Sequence, residues 1–366
     1  MHDDAEPDSV SARLTEHLRS GIQASGGWWP FDRFMEGALY TPGLGYYANT
    51  SRKFGLMPSS GSDFVTAPGL SPLFGRALAS QVGQALEASG TDELWEFGAG
   101  TGALAEQLLQ ALGERVQRYT IVDLSGALQG RQRERLQRWG DRVRWVDQLP
   151  EVMHGVVVGN EVLDAMPVQL LHWDGAQWWE RGVAAAGDGF AWADRPTALL
   201  PPVAGPFVPG TVTEIHRQAE AFIATLAERL QRGAAFFIDY GFPEAEYYHP
   251  QRSGGTLMCH RAHRADPDPL TEVGLKDITA HVNFTGIALA GQQAGLDVLG
   301  YTSQGRFLIN CGLVSLLEGA TPQAIARAQP LLLEHEMGEL FKVIGFAKGC
   351  RFEPLGFACG DRTHRL

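Results

Sequence analysis

The chain has 366 residues, 44% of them hydrophobic and 20% charged, the profile of a globular protein able to bury a large core in one elaborated domain or two coupled ones. A net charge of −12 excludes a broad nucleic-acid surface, and no apolar run reaches the roughly 18 residues that a membrane span needs. The acidic start, Met1-His2-Asp3-Asp4-Ala5-Glu6, fits neither a secretory signal nor an Arg-rich transit peptide, so a cytoplasmic protein is expected.

Residues 1–90 are rich in Gly, Pro and aromatics, from Gly26-Gly27-Trp28-Trp29-Pro30 to Ser59-Ser60-Gly61-Ser62-Asp63-Phe64, and read as a helical and loop-rich cap. A regular helix from about Ser71 to Ala88 leads out of it. Residues 91–366 then alternate strands with helices, the signature of a parallel sheet covered on both faces. Predicted strands are Glu93–Phe97, Tyr119–Asp123, Val143–Val146, Gly155–Gly159 and Ala234–Asp239. Leu104, Leu108 and Leu112 give the helix after the first strand its four-residue spacing, and Gly113 closes it.

Between residues 169 and 194 apolar and polar side chains alternate around Asp174-Gly175 and Asp188-Gly189, which predicts an inserted β-ribbon. Thr211-x-x-Glu214 fits a capping box opening a helix with the buried stripe Ile215, Ala219, Phe222, Ile223, Leu226 and Leu230, with Gly233 past its end. A second insertion spans about residues 242–284. Two last strands, near Asp297–Thr302 and Phe341–Lys348, the second antiparallel, close a seven-stranded sheet. The fold class is therefore α/β: a Rossmann-like core with an N-terminal cap and inserted segments.

Glu96-Phe97-Gly98-Ala99-Gly100-Thr101-Gly102 sits where a strand hands over to a helix. Gly98, Gly100 and Gly102 let the backbone turn sharply and approach a ligand with no Cβ in the way. The same string satisfies a dinucleotide fingerprint, Gly98-x-Gly100-x-x-Ala103. Glu96 separates the two readings. Two residues before the first glycine, a carboxylate can engage the cationic amino-acid end of S-adenosylmethionine, whereas in a dinucleotide site it would face pyrophosphate. Asp123, 25 residues after Gly98, ends the second strand, where an acid accepts ribose hydroxyls of either cofactor.

After the fourth strand, Asn160-Glu161-Val162-Leu163-Asp164-Ala165-Met166-Pro167 lines the crevice side of the sheet. One turn of helix would put Glu161 and Asp164 on the same side; Asn160 could equally cap that helix, with the acids merely favouring its dipole. Asp239-Tyr240-Gly241 reads as an ordinary polar strand end. His263 and His281 are candidate bases. Cys259, Cys311, Cys350 and Cys359 match no zinc spacing, so no metal site is expected.

Taken together, these segments resemble the methyltransferase family that contains the mitochondrial complex I assembly arginine methyltransferase and its bacterial relatives. The resemblance runs through Leu39–Tyr47, the stretches 63–68 and 71–75, Glu96–Gly102, Asn160–Pro167, 238–241, 255–257, 277–282 and 337–343. It implies a seven-stranded methyltransferase core, S-adenosylmethionine as cofactor and, as in the mitochondrial members, an arginine acceptor on a protein partner. Asn160, Glu161 and Asp164 become the catalytic candidates; Glu96, Gly98, Gly100, Gly102 and Asp123 become the cofactor residues. Ser62, Gly69 and Asn283 depart from the family pattern, removing two carboxylates. The aromatics Tyr46, Tyr47, Phe64 and Phe74 are the candidate lid. Two rivals accompany this reading, a nicotinamide-dependent oxidoreductase and a non-catalytic assembly factor, and a homodimer stays open.

Overall fold

A computed structural model describes residues 7–49, 66–123, 126–261 and 264–366. The chain divides into two compact units. One comprises Val65–Leu163, Glu220–Pro243 and Val282–Leu366; the other comprises Met1–Phe64, Asp164–Ala219 and Glu244–His281. The helix expected to belong to the cap lies in the first of these.

The first unit is built on seven strands: β1 (Glu93–Phe97), β2 (Arg118–Val122), β3 (Val143–Val146), β4 (Met153–Asn160), β5 (Leu230–Phe242), β6 (Asp297–Ser303) and β7 (Phe341–Lys348). Their spatial order is β6-β7-β5-β4-β1-β2-β3, and the two-residue strand Val282–Asn283 adds an eighth beside the end of β5. Neighbours from β5 through β3 run parallel. β7 is antiparallel to both β5 and β6, as the sequence leads one to expect.

The central strands read as continuous apolar runs because helices cover both faces. Val156, Val157 and Val158 of β4, with Ala234, Ala235 and Phe236 of β5, are fully buried. Helix α1 (Pro72–Ser89) packs on this sheet through Leu78, Val82 and Leu86. Ser71 caps it by accepting from Leu73 N at 3.3 Å, Pro72 opens it, and Gly90 closes it in the left-handed conformation. Phe222 of α4 (Arg217–Arg229) meets Phe97 and Phe237 edge to face. Between them in sequence run α2 (Ala103–Leu112) and α3 (Gly126–Leu136).

The expected capping box is not one. Val212–Ile215 is a strand paired antiparallel with Gln169–Trp173, and the helix begins only at Arg217. Val212, Thr213 and Ile215 are β-branched and suit a pleated surface. Glu214, fully buried, is satisfied by the second insertion instead: it accepts from Thr256 N at 2.7 Å, Leu257 N at 3.0 Å and the Tyr247 hydroxyl at 2.7 Å. Gly233 likewise lies inside β5 rather than beyond a helix. At φ +149°, a Cβ there would meet the Gly155 carbonyl oxygen at 1.7 Å, so only glycine allows the two strands to pair.

In the second unit the β-ribbon forms as the Asp-Gly signals indicate, with strands Gln169–Trp173, Trp178–Ala186 and Gly189–Pro196. Asp174 shapes the first turn by accepting from Ala176 N and Gln177 N. Helices Pro7–Ala24 and Phe31–Tyr40 share a core with this ribbon, including Leu14, Phe34, Leu39, Leu170 and Val183. The second insertion contributes a three-stranded sheet of Met258–Arg261, Arg264–Asp266 and Asp277–Thr279. Among the described residues no helix is long and apolar enough to cross a membrane.

Candidate active site

β1 delivers the chain into a loop whose three alternate glycines all have left-handed backbones: φ is +61° at Gly98, +51° at Gly100 and +76° at Gly102. Side chains with a Cβ avoid this region, so alternation of glycine is the sequence record of the loop's shape. Gly98 N donates to Val122 O of β2 at 3.3 Å, and Gly102 leads directly into α2. A Cβ at Gly98 would lie 3.0 Å from Val162 Cγ2, so the glycine loop and the loop after β4 lie against each other.

Glu96 is 2% exposed, and its Oε2 accepts from the Tyr119 hydroxyl at 2.7 Å. Burial pushes its carboxyl up to about 8; the Tyr119 hydrogen bond lowers it and the Asp123 charge raises it further. Asp123, just past β2, is half-buried and held by α3. Gln129 Nε2 donates to its carbonyl at 3.0 Å, and Gln132 Nε2 to its Oδ2 at 2.7 Å. Tyr119 and Gln132 carry no sequence signal beyond a polar atom at an otherwise apolar or helical position.

The segment after β4 departs from expectation. No helix forms there, so no shared turn carries Glu161 and Asp164, and Asn160 caps nothing. Asn160 is the last residue of β4 and pairs with Ile238; its Nδ2 donates to Glu161 Oε1 at 2.9 Å. Its buried Oδ1 meets no hydrogen-bond partner among the described residues. Glu161 adopts φ +54°, a left-handed conformation that costs a non-glycine residue roughly 1–2 kcal/mol. The physical reason is next door on β5. Glu161 N donates to Ile238 O at 2.9 Å, and the Asp239 carboxylate accepts from Val162 N at 3.1 Å and Leu163 N at 2.9 Å. Three successive amides are thus bonded to β5 instead of starting a helix. Asp239, 1% exposed, is more than an ordinary strand end, since its other oxygen accepts from Tyr240 N.

Asp164 falls beyond Leu163, in the other unit, where it is 5% exposed and its carbonyl accepts from Ala280 N. There Tyr40 and Tyr47 stack at 5.6 Å, and the Tyr47 hydroxyl donates to the Asp277 carboxylate at 2.9 Å. Tyr46 and Phe74 are core side chains, each in its own unit, because large rings at 1% and 0% exposure are packing and not a lid. His281 is half-buried, its amide bonded to Thr256 Oγ1. Asn283, where the resemblance leads one to expect an acid, caps the helix Phe284–Gln293 by accepting from Gly286 N at 3.3 Å. Phe64 and His263 lie outside the described residues.

A parallel sheet in this strand order with one antiparallel member, a left-handed glycine loop after the first strand and an acid after the second define a Rossmann-like methyltransferase. Residues 75–302 match the family described as "Putative S-adenosyl-L-methionine-dependent methyltransferase". A Burkholderia thailandensis protein solved with bound S-adenosyl-homocysteine is 51% identical, covers 100% of both chains and superposes with a TM-score of 0.95. The mitochondrial protein arginine methyltransferase NDUFAF7 of Danio rerio is 27% identical over 91% of this chain and 86% of its own length. The Drosophila melanogaster homolog is 27% identical over 94% and 87%.

The chain belongs to this methyltransferase family: it is an S-adenosylmethionine-dependent enzyme, and the nicotinamide alternative falls. The cytoplasmic expectation is also overturned, because these curated relatives are mitochondrial by name, and an acidic N-terminal stretch does not fix a compartment.

Proposed function

We propose that the protein methylates an arginine side chain of a protein partner, with Glu161 as the acid on the acceptor side and Asn160 as its orienting neighbour. The observation that carries this reading is Glu161 itself, a carboxylate kept in a backbone conformation that glycine would adopt more cheaply. The names of the two mitochondrial relatives support the acceptor class.

On the cofactor side, we assign Gly98, Gly100 and Gly102 to close backbone approach, Asp123 to the ribose hydroxyls and Glu96 to the ammonium group. A buried acid whose carboxyl is pushed up to about 8 by desolvation gains most from a cationic neighbour, which supports that role. S-adenosylmethionine supplies, when bound, a methyl group on a positively charged sulfur. The residues of this chain align the acceptor and manage charge. An arginine guanidinium carries a proton at any physiological pH, and its attack leaves a methylated guanidinium that is again cationic. One proton therefore leaves the attacking nitrogen, and the Glu161 carboxylate is assigned to receive it. Asp164 stays in the proposal as a second acceptor-side acid, on its place in the Asn160–Pro167 segment.

The test is transfer of labelled methyl from S-adenosylmethionine to extract of a deletion strain, followed by mass spectrometry of the labelled peptides. Methylated arginine in one or a few proteins is the expected result. Label confined to lysine, carboxylates or small molecules would remove the arginine reading and leave the cofactor assignment intact.

A further inference from the structure

We propose that Gln132 is a positioning residue for the cofactor: its side-chain amide sets the Asp123 carboxylate to receive a ribose diol. The inference rests on the assignment of Asp123 to the ribose and goes beyond it by naming what orients that carboxylate.

Gln132 sits in α3 and is fully buried. A buried primary amide has two donors and an acceptor to satisfy. Here all are used on three different elements. The Trp145 indole donates to Oε1 at 2.8 Å; Nε2 donates to the Gly100 carbonyl at 3.0 Å and to Asp123 Oδ2 at 2.7 Å. The chemistry of these partners allows only one orientation of the amide. An indole N–H can only donate, so it must face the oxygen; a carbonyl and a carboxylate can only accept, so they must face the nitrogen. Trp145 therefore fixes which way the amide points, and the amide fixes Asp123.

The same side chain also lines the glycine loop. A Cβ at Gly102 would lie in ordinary van der Waals contact with Gln132 Cα and Cγ, at 3.5 Å, so Gln132 packs directly beside this glycine. One residue thus links the carbonyl of the middle loop glycine to the acid after β2, the two places where backbone approach and ribose recognition are assigned. Holding one carboxylate oxygen in a buried amide removes the rotational freedom the carboxylate would otherwise lose on binding, which is preorganisation by a supporting hydrogen bond.

The experiment is titration calorimetry of the full chain with two ligands: S-adenosylhomocysteine, and its analogue lacking both ribose hydroxyls. The wild type should prefer the first by about a hundredfold, the loss of charge-assisted hydrogen bonds to the diol. Gln132→Met keeps length and burial but removes the amide. It should bind S-adenosylhomocysteine about tenfold more weakly and the analogue within about twofold of wild type, so that the preference shrinks. A merely structural role in the loop would weaken both ligands alike.

Equal weakening of both ligands, or an undiminished preference, overturns the inference while Asp123 keeps the ribose. No preference in the wild type removes the ribose assignment and the inference together. Trp145→Phe is the second variant if Gln132→Met fails to fold. It deletes the donor that orients the amide while keeping an aromatic ring under Arg133, and the expected loss of preference is severalfold, with the same outcomes overturning the idea.

Discussion

Two loops at the ends of adjacent parallel strands reach the same left-handed backbone by opposite means. After β1, three glycines adopt it at no steric cost. After β4, Glu161 adopts it with a full side chain, and three amide hydrogen bonds to β5 hold it there. Where only the backbone matters, the sequence deletes the Cβ. Where a carboxylate is proposed to act, the side chain is kept and its strain is offset by a neighbour. The second solution is costlier, which is the ground for the acceptor-side role proposed for Glu161, with Asp239 as its support.

The largest expected effect comes from removing that support. Asp239→Ala strands the half-buried Val162 amide and the buried Leu163 amide, at up to about 1–3 kcal/mol each. A fall of several kcal/mol in chemical denaturation is therefore expected. Loss under about 1 kcal/mol would mean that the amides find water, and the clamp would not be what holds Glu161.

Next in size is a pH effect on the glycine side. Glu96 has its carboxyl raised from 4.5 to about 8 in the folded chain. Between those values the folded protein holds a proton that the unfolded chain has released. Stability is fully present below about pH 4.5 and is lost as pH rises toward 8, by roughly 1 kcal/mol per pH unit. Glu96→Gln should flatten that slope. A cationic ligand beside Glu96 lowers its pKa, so binding of S-adenosylmethionine to the wild type releases a proton and tightens as pH rises through the same window. Calorimetry in buffers of different ionisation enthalpy measures the released proton; none released would place Glu96 away from the cofactor's charge.

The third effect is catalytic. Glu161→Gln keeps size and removes charge, and methyl transfer should fall about a hundredfold with cofactor affinity nearly unchanged, the scale of one lost electrostatic contact in a transition state. Full activity in this variant would return Glu161 to a local structural role.

Much of this is legible in the amino-acid sequence. β1 and β3 have the predicted bounds to the residue, since short segments rich in β-branched and aromatic side chains are bounded on both sides by polar, Gly or Pro turn residues. The glycine loop and the acid after β2 were readable because their shape demands specific residue types. The failures share a cause: a tertiary partner outbid a local signal. Thr211-x-x-Glu214 has a helix-opening pattern, but Glu214 is claimed by amides 42 and 43 residues away. Asn160 stands where a helix cap could, but Asp239 takes the Val162 and Leu163 amides that such a cap would have bonded, 77 and 76 residues distant. Gln132 was invisible for the converse reason, being one polar residue on a helix with mean hydropathy that is already low.

The smallest expected effect is the sharpest for the comparison of the two loops. At most sites replacing Ala by Gly destabilises a protein by about 0.5–1 kcal/mol, because the unfolded chain gains freedom. At Glu161 the sign should invert. Glu161→Ala keeps the left-handed strain of roughly 1–2 kcal/mol and loses the bond from Asn160 Nδ2. Glu161→Gly loses the same bond but relieves the strain, so after the entropy of the unfolded chain is subtracted it should be more stable than Glu161→Ala by up to about 1 kcal/mol. Gly98→Ala provides the mirror image: φ is +61° there and the added Cβ would press on Val162, so it should lose stability and cofactor affinity together. Both Glu161 variants should be inactive in methyl transfer, although the glycine variant is the better folded. Matched denaturation curves decide the matter. If Glu161→Ala is as stable as Glu161→Gly, the residue does not carry a left-handed backbone in solution, and the contrast between the two loops disappears. If the glycine variant is both more stable and fully active, the strain is real but serves no chemistry, and the carboxylate assigned to the acceptor must be sought elsewhere.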